Sequence, residues 1–138
     1  MDGWSERVEQ RDPQSPLRVT FSRPRATLQL SGFVDESTRA LLTTALARAT
    51  ASTQDTLHID LADVTFCDLP GLRTIVLLAR QAAPAKRVTL DGLSPEMGTI
   101  LHILGWDDTP GLALHPIRPD RQHGPNIRTC SPGMEREA

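Results

Sequence analysis

Lysine is nearly missing from this 138-residue chain: Lys86 is the only one, and arginine carries almost all the positive charge. With a formal net charge of −2 and a pI near 6.0, the chain offers no basic field for a nucleic-acid backbone. Aromatic residues make up 4% of it and tyrosine is absent, which excludes base-stacking platforms and leaves an aliphatic core. Cys67 and Cys130 are the only cysteines. The first sits in an apolar run and the second in a polar segment, so two unpaired thiols suit a reducing cytoplasm. The opening MDGWSERVEQ has no apolar stretch of the signal-peptide kind, and no run approaches the roughly 18 apolar residues of a membrane helix. The expected setting is cytoplasmic, without membrane insertion.

Catalytic and cofactor signatures are equally scarce. No G-x-G-x-x-G, Walker loop or G-x-S-x-G turn occurs, and His58, His102, His115 and His123 are isolated from one another and from cysteine at ligand spacing. No metal, cofactor or catalytic residue is expected. Asp60 closes a strand as a phospho-acceptor in a receiver domain would. It lacks the acidic pair such a domain needs, and Lys86 precedes a strand where it would have to follow one.

The chain has enough residues for one domain with a substantial core. Residues 1–16 are polar and aperiodic and read as a flexible arm. LRVTF and TLQLSG alternate apolar with polar residues, the pattern of half-buried strands, and SRPRA is the turn between them. The period then changes. Leu41, Leu42, Ala45, Leu46 and Ala49 form one helical stripe, with Asp35 or Ser37 as its cap. TLHIDL runs into VTFCDL as the next strand. Leu72, Ile75, Val76, Ala79 and Ala82 or Ala83 mark a second helix, closed by Pro84. RVTLDGL is a further strand. In SPEMGTILHILG, Ser94 caps a third helix, Pro95 occupies its first turn, Met97, Ile100, Leu101 and Leu104 form its stripe, and Gly105 stops it. GLALHP is a candidate edge strand. Residues 117–138 are rich in Pro, Arg and Gly and read as a disordered tail. The order β-β-α-β-α-β-α, with that candidate last strand, predicts an α/β fold: a mixed sheet packed with helices.

Three stretches carry a resemblance over residues 17–116: TLQLSGFVDESTRALLTTAL, LHIDLADVTFCDLPGLRTIVLLA and RVTLDGLSPEMGTILHILGWDD. The chain resembles the STAS domain family of bacterial anti-sigma factor antagonists. The middle stretch is the most specific, with Asp60, Leu61, Val64, Phe66, Asp68, Gly71 and Leu72 in register with the family pattern D-L-s-x-V-x-F-h-D-S-[SA]-G-L. The resemblance implies a non-enzymatic regulator that docks on an anti-sigma factor, usually a histidine-kinase-like ATPase, and frees a sigma factor. It also implies a serine after Asp68 that the kinase phosphorylates to weaken docking. Here that position is Leu69, which has no hydroxyl, and Pro70 follows it.

The resemblance places partner binding at Phe33, Asp35, Asp68, Leu69, Pro70, Gly71 and Leu72. Phe33 stands where the family has a glutamate, and an exposed Phe33 beside Leu69 makes an apolar patch. Thr65 and Thr74 are the nearby hydroxyls left as alternative phosphate acceptors. Leucine is a poor N-cap, about 1 kcal/mol worse than serine. Pro70 in the first helical position offsets part of this, and Asp68 is available as the capping oxygen. Two readings of Leu69 stand. It makes a constitutive binder whose covered side chain contributes about 1.5–3 kcal/mol, or it covers the core end of the second helix. A second function fits the same residues, a STAS subunit of an ABC-type lipid-trafficking transporter docking on its ATPase. A third is a scaffold within a larger STAS assembly, which leaves the oligomeric state open.

Overall fold

Strand β1 (Arg7–Gln10) pairs antiparallel with β2 (Leu17–Ser22), so the segment expected to be a flexible arm supplies an edge strand. This computed structural model describes the backbone of residues 7–10 and the chain over 16–116. The rest of the expected arm and the tail at 117–138 lie outside the described residues. The elements that follow are β3 (Thr27–Val34), α1 (Arg39–Ala51), β4 (Thr56–Cys67), α2 (Leu69–Ala82), β5 (Arg87–Leu93), α3 (Pro95–Ile103) and β6 (Leu112–Pro116). From β2 onward the α/β order read from the sequence is the order observed, and GLALHP supplies the last strand.

The six strands lie in the sheet in chain order. β2 and β3 form a hairpin, and β3–β4, β4–β5 and β5–β6 are parallel pairs, each joined through one helix. Crossovers between parallel strands are right-handed, and all three step the same way along the sheet. They therefore lay α1, α2 and α3 on one face. The core forms there, with Leu17, Val19, Phe21, Leu28, Leu30, Leu57, Ile59, Val88 and Leu90 from the sheet under Leu42, Leu46, Leu72, Ile75 and Leu101 from the helices. The other face is polar. Gln29, His58, Asp60, Thr89, Asp91 and His115 alternate with the core residues, and His115 Nδ1 lies 2.9 Å from Asp91. Desolvation holds the His58 imidazole below its ordinary pKa, and the nearby Arg25 guanidinium adds to this.

α1 and α2 bury most of the stripes their sequences predict, with Leu41, Ala82 and Ala83 only partly covered. α3 does not. Met97 and Leu101 are buried, whereas Ile100, Ile103 and Leu104 are exposed. α3 packs at the sheet's end against β6 and the short turn Trp106–Asp108, so only one narrow edge of it is covered.

β4 carries two register irregularities against β3, between Gln29 and Ser31 and between Gly32 and Phe33. Strict alternation from Leu57 would turn Asp63 and Thr65 inward. The first bulge turns Val64 to the core instead, and the second restores the phase, so that Cys67 faces inward opposite Val34 while Phe66 faces outward opposite Phe33.

Candidate functional site

At the C-terminal ends of β3 and β4 the sheet meets the start of α2. The helix begins at Leu69, one residue after its cap. Asp68 has extended backbone geometry, and its Oδ1 accepts from Gly71 N at 2.8 Å. The cost of a leucine cap therefore does not arise: Leu69 is the first helical residue and Pro70 the second, where a missing N–H costs nothing. Asp68 Oδ2 accepts from Arg39 Nη2 at 2.5 Å, and Asp68 N donates to Val34 O at 2.9 Å. Both carboxylate oxygens are thus engaged within the fold. One ties down the first turn of α2, and the other ties α2 to α1.

Gly71 is required by close approach. A Cβ there would sit 2.4 Å from Val34 Cγ1 and 2.9 Å from Asp68 Oδ1. Leu72 is 2% exposed and belongs to the core. Of the residues assigned to partner binding, Gly71 and Leu72 lie below the surface, and Asp68 turns its charge towards Arg39. The surface itself is made by Phe33, Phe66 and Leu69, which are 42%, 50% and 49% exposed, with Pro16 and Pro70 exposed at its edges. Leu69 is thus only half covered at the start of α2. Its side chain stands half in solvent.

Asp35 serves a different end. Its Oδ1 accepts from Ser37 N at 2.9 Å and from Ser37 Oγ at 2.6 Å, while Thr38 Oγ1 accepts from Asp35 N at 3.0 Å. This closes a capping box around the turn Glu36–Thr38, one turn before α1 starts. The Ser37 hydroxyl chiefly holds the Asp35 carboxyl below its usual pKa. Thr65 is exposed, and Thr74 Oγ1 donates back along α2 to Pro70 O at 2.9 Å. Burial, reinforced by the Asp68 carboxylate, pushes the Cys67 thiol up to about 12, so it is a poor nucleophile at neutral pH.

Two members of this site escaped sequence reasoning. Phe66 is 50% exposed and lies opposite Phe33, a placement that its match to the family pattern does not reveal. Arg39 lies 29 positions from Asp68, and no local pattern joins them. Among the described residues, no group of three His, Cys, Asp or Glu side chains is placed to hold a metal. No helix among them is long and apolar enough to cross a membrane.

A family model described as "Mlab, STAS domain" matches residues 17–116. The chain belongs to the STAS domain family. Solved structures that share this fold include the following two. An anti-sigma factor antagonist from Mycobacterium paratuberculosis matches with a TM-score of 0.59 and 24% identity, over 74% of this chain and 88% of that one. The murine anion transporter Slc26a9, in its inward-facing state, matches with a TM-score of 0.54 and 12% identity. That alignment covers 85% of this chain and 21% of the transporter. No curated protein sequence matches significantly.

Replacing Asp68 by alanine removes the cap of α2, worth about 1 kcal/mol. The partly exposed ion pair with Arg39 adds only a few tenths because solvent screens it. Urea denaturation of Asp68→Ala should show a loss of about 1–2 kcal/mol. Asp68→Asn, which keeps the capping oxygen, should recover most of it. Equal losses in both variants would mean that the ion pair, not the cap, holds this junction.

Proposed function

We propose that this STAS domain is a non-enzymatic regulator that docks on an anti-sigma factor of the histidine-kinase-like ATPase class, freeing a sigma factor, and that it does so without serine phosphorylation. The observation that carries this reading is Leu69. It occupies the first position of α2, half-exposed and without a hydroxyl, at the same end of the sheet as the exposed Phe33 and Phe66. A phosphoserine there would bring about two negative charges into an otherwise apolar surface. Leucine at that point leaves docking governed by concentration and affinity alone. The likeness to an anti-sigma factor antagonist supports the same reading.

Affinity purification of the tagged chain from its own cells, followed by mass spectrometry, tests it. Recovery of a kinase-like ATPase with anti-sigma activity is the expected result. Recovery of a permease and its ATPase, with no such kinase, would assign the chain instead to a lipid-trafficking transporter. That second reading draws on the family match and on the STAS fold found within a transporter; the apolar surface would then bind the transport ATPase.

With the kinase in hand, Leu69→Ser supplies a hydroxyl at the first residue of α2, where free backbone N–H groups and the helix dipole favour phosphate. The expected outcome is phosphate incorporation into the variant and none at residue 69 of the parent, followed by mass spectrometry. A variant that binds the kinase and stays unmodified would show that the turn has lost the geometry of an acceptor.

A further inference from the structure

On the polar face of the sheet, three side chains from outside β4 converge on one imidazole nitrogen. His58 lies between Thr27 of β3 and Thr89 of β5. Its Nδ1 is met by Arg25 Nη2 at 3.2 Å, Thr89 Oγ1 at 2.8 Å and Asp91 Oδ2 at 3.5 Å. These groups make different demands. A guanidinium only donates, a carboxylate only accepts, and a hydroxyl does either. Nδ1 therefore cannot serve Arg25 and Asp91 in the same protonation state. With the ring neutral and its proton on Nε2, the Nδ1 lone pair accepts from Arg25 and from the Thr89 hydroxyl. With the ring protonated, Nδ1–H turns to Thr89 Oγ1 and Asp91, and the Arg25 donor faces a like charge.

The surroundings favour the first state. The His58 side chain is 17% exposed, and desolvation, followed by Arg25, lowers its pKa. Asp91 pulls the other way, but its Oδ1 is already engaged by His115 Nδ1 of β6 at 2.9 Å. The remaining charges on this part of the face are Asp60 of β4, whose Oδ1 accepts from Ala62 N at 3.0 Å, and Arg87, two residues before Thr89 on β5 and exposed. β3 adds the uncharged Thr27 and Gln29. A lowered imidazole pKa contributes stability that is complete above about 6.5 and is lost as the pH falls towards the lowered value.

Arg25 belongs to the turn Arg23–Ala26 that joins β2 to β3. Arg23 of the same turn donates to Ser52 O at 2.7 Å, at the end of α1, so Arg25 is the arm that reaches β4. We infer that His58 is a proton-operated latch: neutral, it holds the β2–β3 turn against β4 through Arg25, and on protonation it exchanges Arg25 for Asp91 and releases the turn. The latch sits at the start of β3, the end remote from Phe33, and is separate from the surface at the start of α2.

Nuclear magnetic resonance of the full chain labelled with 15N tests this, since long-range nitrogen–proton correlations read the protonation of each ring nitrogen. At neutral pH, His58 should show a bare Nδ1 and a protonated Nε2. Between about pH 8 and about pH 5, the amides of Arg23, Arg25 and Ala26 should shift with the His58 titration. His58→Gln should abolish that movement, and His115→Gln should preserve it. Arg25→Gln changes an exposed residue and leaves the core untouched; it should move the His58 midpoint upward. A protonated Nδ1 at neutral pH, turn amides that follow another group's titration, or an unmoved midpoint in Arg25→Gln would each overturn the inference.

Discussion

Gly32→Ala is expected to unfold this domain more readily than any other single methyl addition, with a loss of about 3 kcal/mol or more. Gly32 has φ of +106°, and a Cβ built on it would stand 2.0 Å from the carbonyl oxygen of Pro16. That oxygen belongs to backbone and accepts from Phe33 N at 3.1 Å. Relief requires moving the start of β2 away from β3, where Leu17 lies opposite Gly32. Gly105→Ala is the matching control. Gly105 also has positive φ, +73°, but nothing lies within 4 Å of its virtual Cβ, so it should lose only the backbone penalty of about 1–2 kcal/mol. In urea, with a slope of about 1–3 kcal/mol per molar, the Gly32 variant should unfold at a midpoint lower by 1 M or more. Equal shifts in the two variants would mean that φ alone, without the clash, sets the cost.

The same pair of residues shows where local sequence stops being informative. SGF reads as the end of an alternating strand, and nothing in those letters indicates that Pro16 approaches from across the hairpin. The order of elements was legible because strand alternation, aliphatic stripes and the Ser94-Pro95 and Gly105 punctuation are local signals. β1 was not. RVEQ contains a single apolar residue, and it becomes a strand only because β2 offers an open edge, a tertiary effect that overrides propensity. α3 misled in the opposite direction. Its apolar stripe is wider than the surface that the end of the sheet can cover, so periodicity predicted burial for Ile100 and Leu104 that packing does not deliver.

The site divides along the same line. The stretch Asp68 to Leu72 could be located from its resemblance to the family pattern, yet the resemblance did not separate its roles. Asp68 caps and pairs, Gly71 makes room for Val34, Leu72 fills the core, and Leu69 faces solvent. Those roles follow from the direction in which α2 leaves β4, which the two bulges help to set.

Phe66→Ala should have the largest effect on docking of any surface change. An exposed aromatic flanked by other apolar side chains has the character of an interface hot spot, where truncation costs about 2 kcal/mol or more, some 30-fold in Kd. Leu69→Ala removes a smaller side chain and should cost about tenfold. Neither variant should change the unfolding midpoint appreciably, since both side chains are half in solvent and surface truncations stay within about 0.5 kcal/mol. Phe33 and Phe66 are direct neighbours on adjacent strands, so their alanine variants should combine less than additively; Ile103→Ala, on α3, should leave Kd unchanged. Calorimetric titration against the partner recovered from cells measures all four. Wild-type affinity in Phe66→Ala and Leu69→Ala, together with weakened binding in Ile103→Ala, would move the docking surface to α3 and leave the apolar end of β3 and β4 without the role assigned to it.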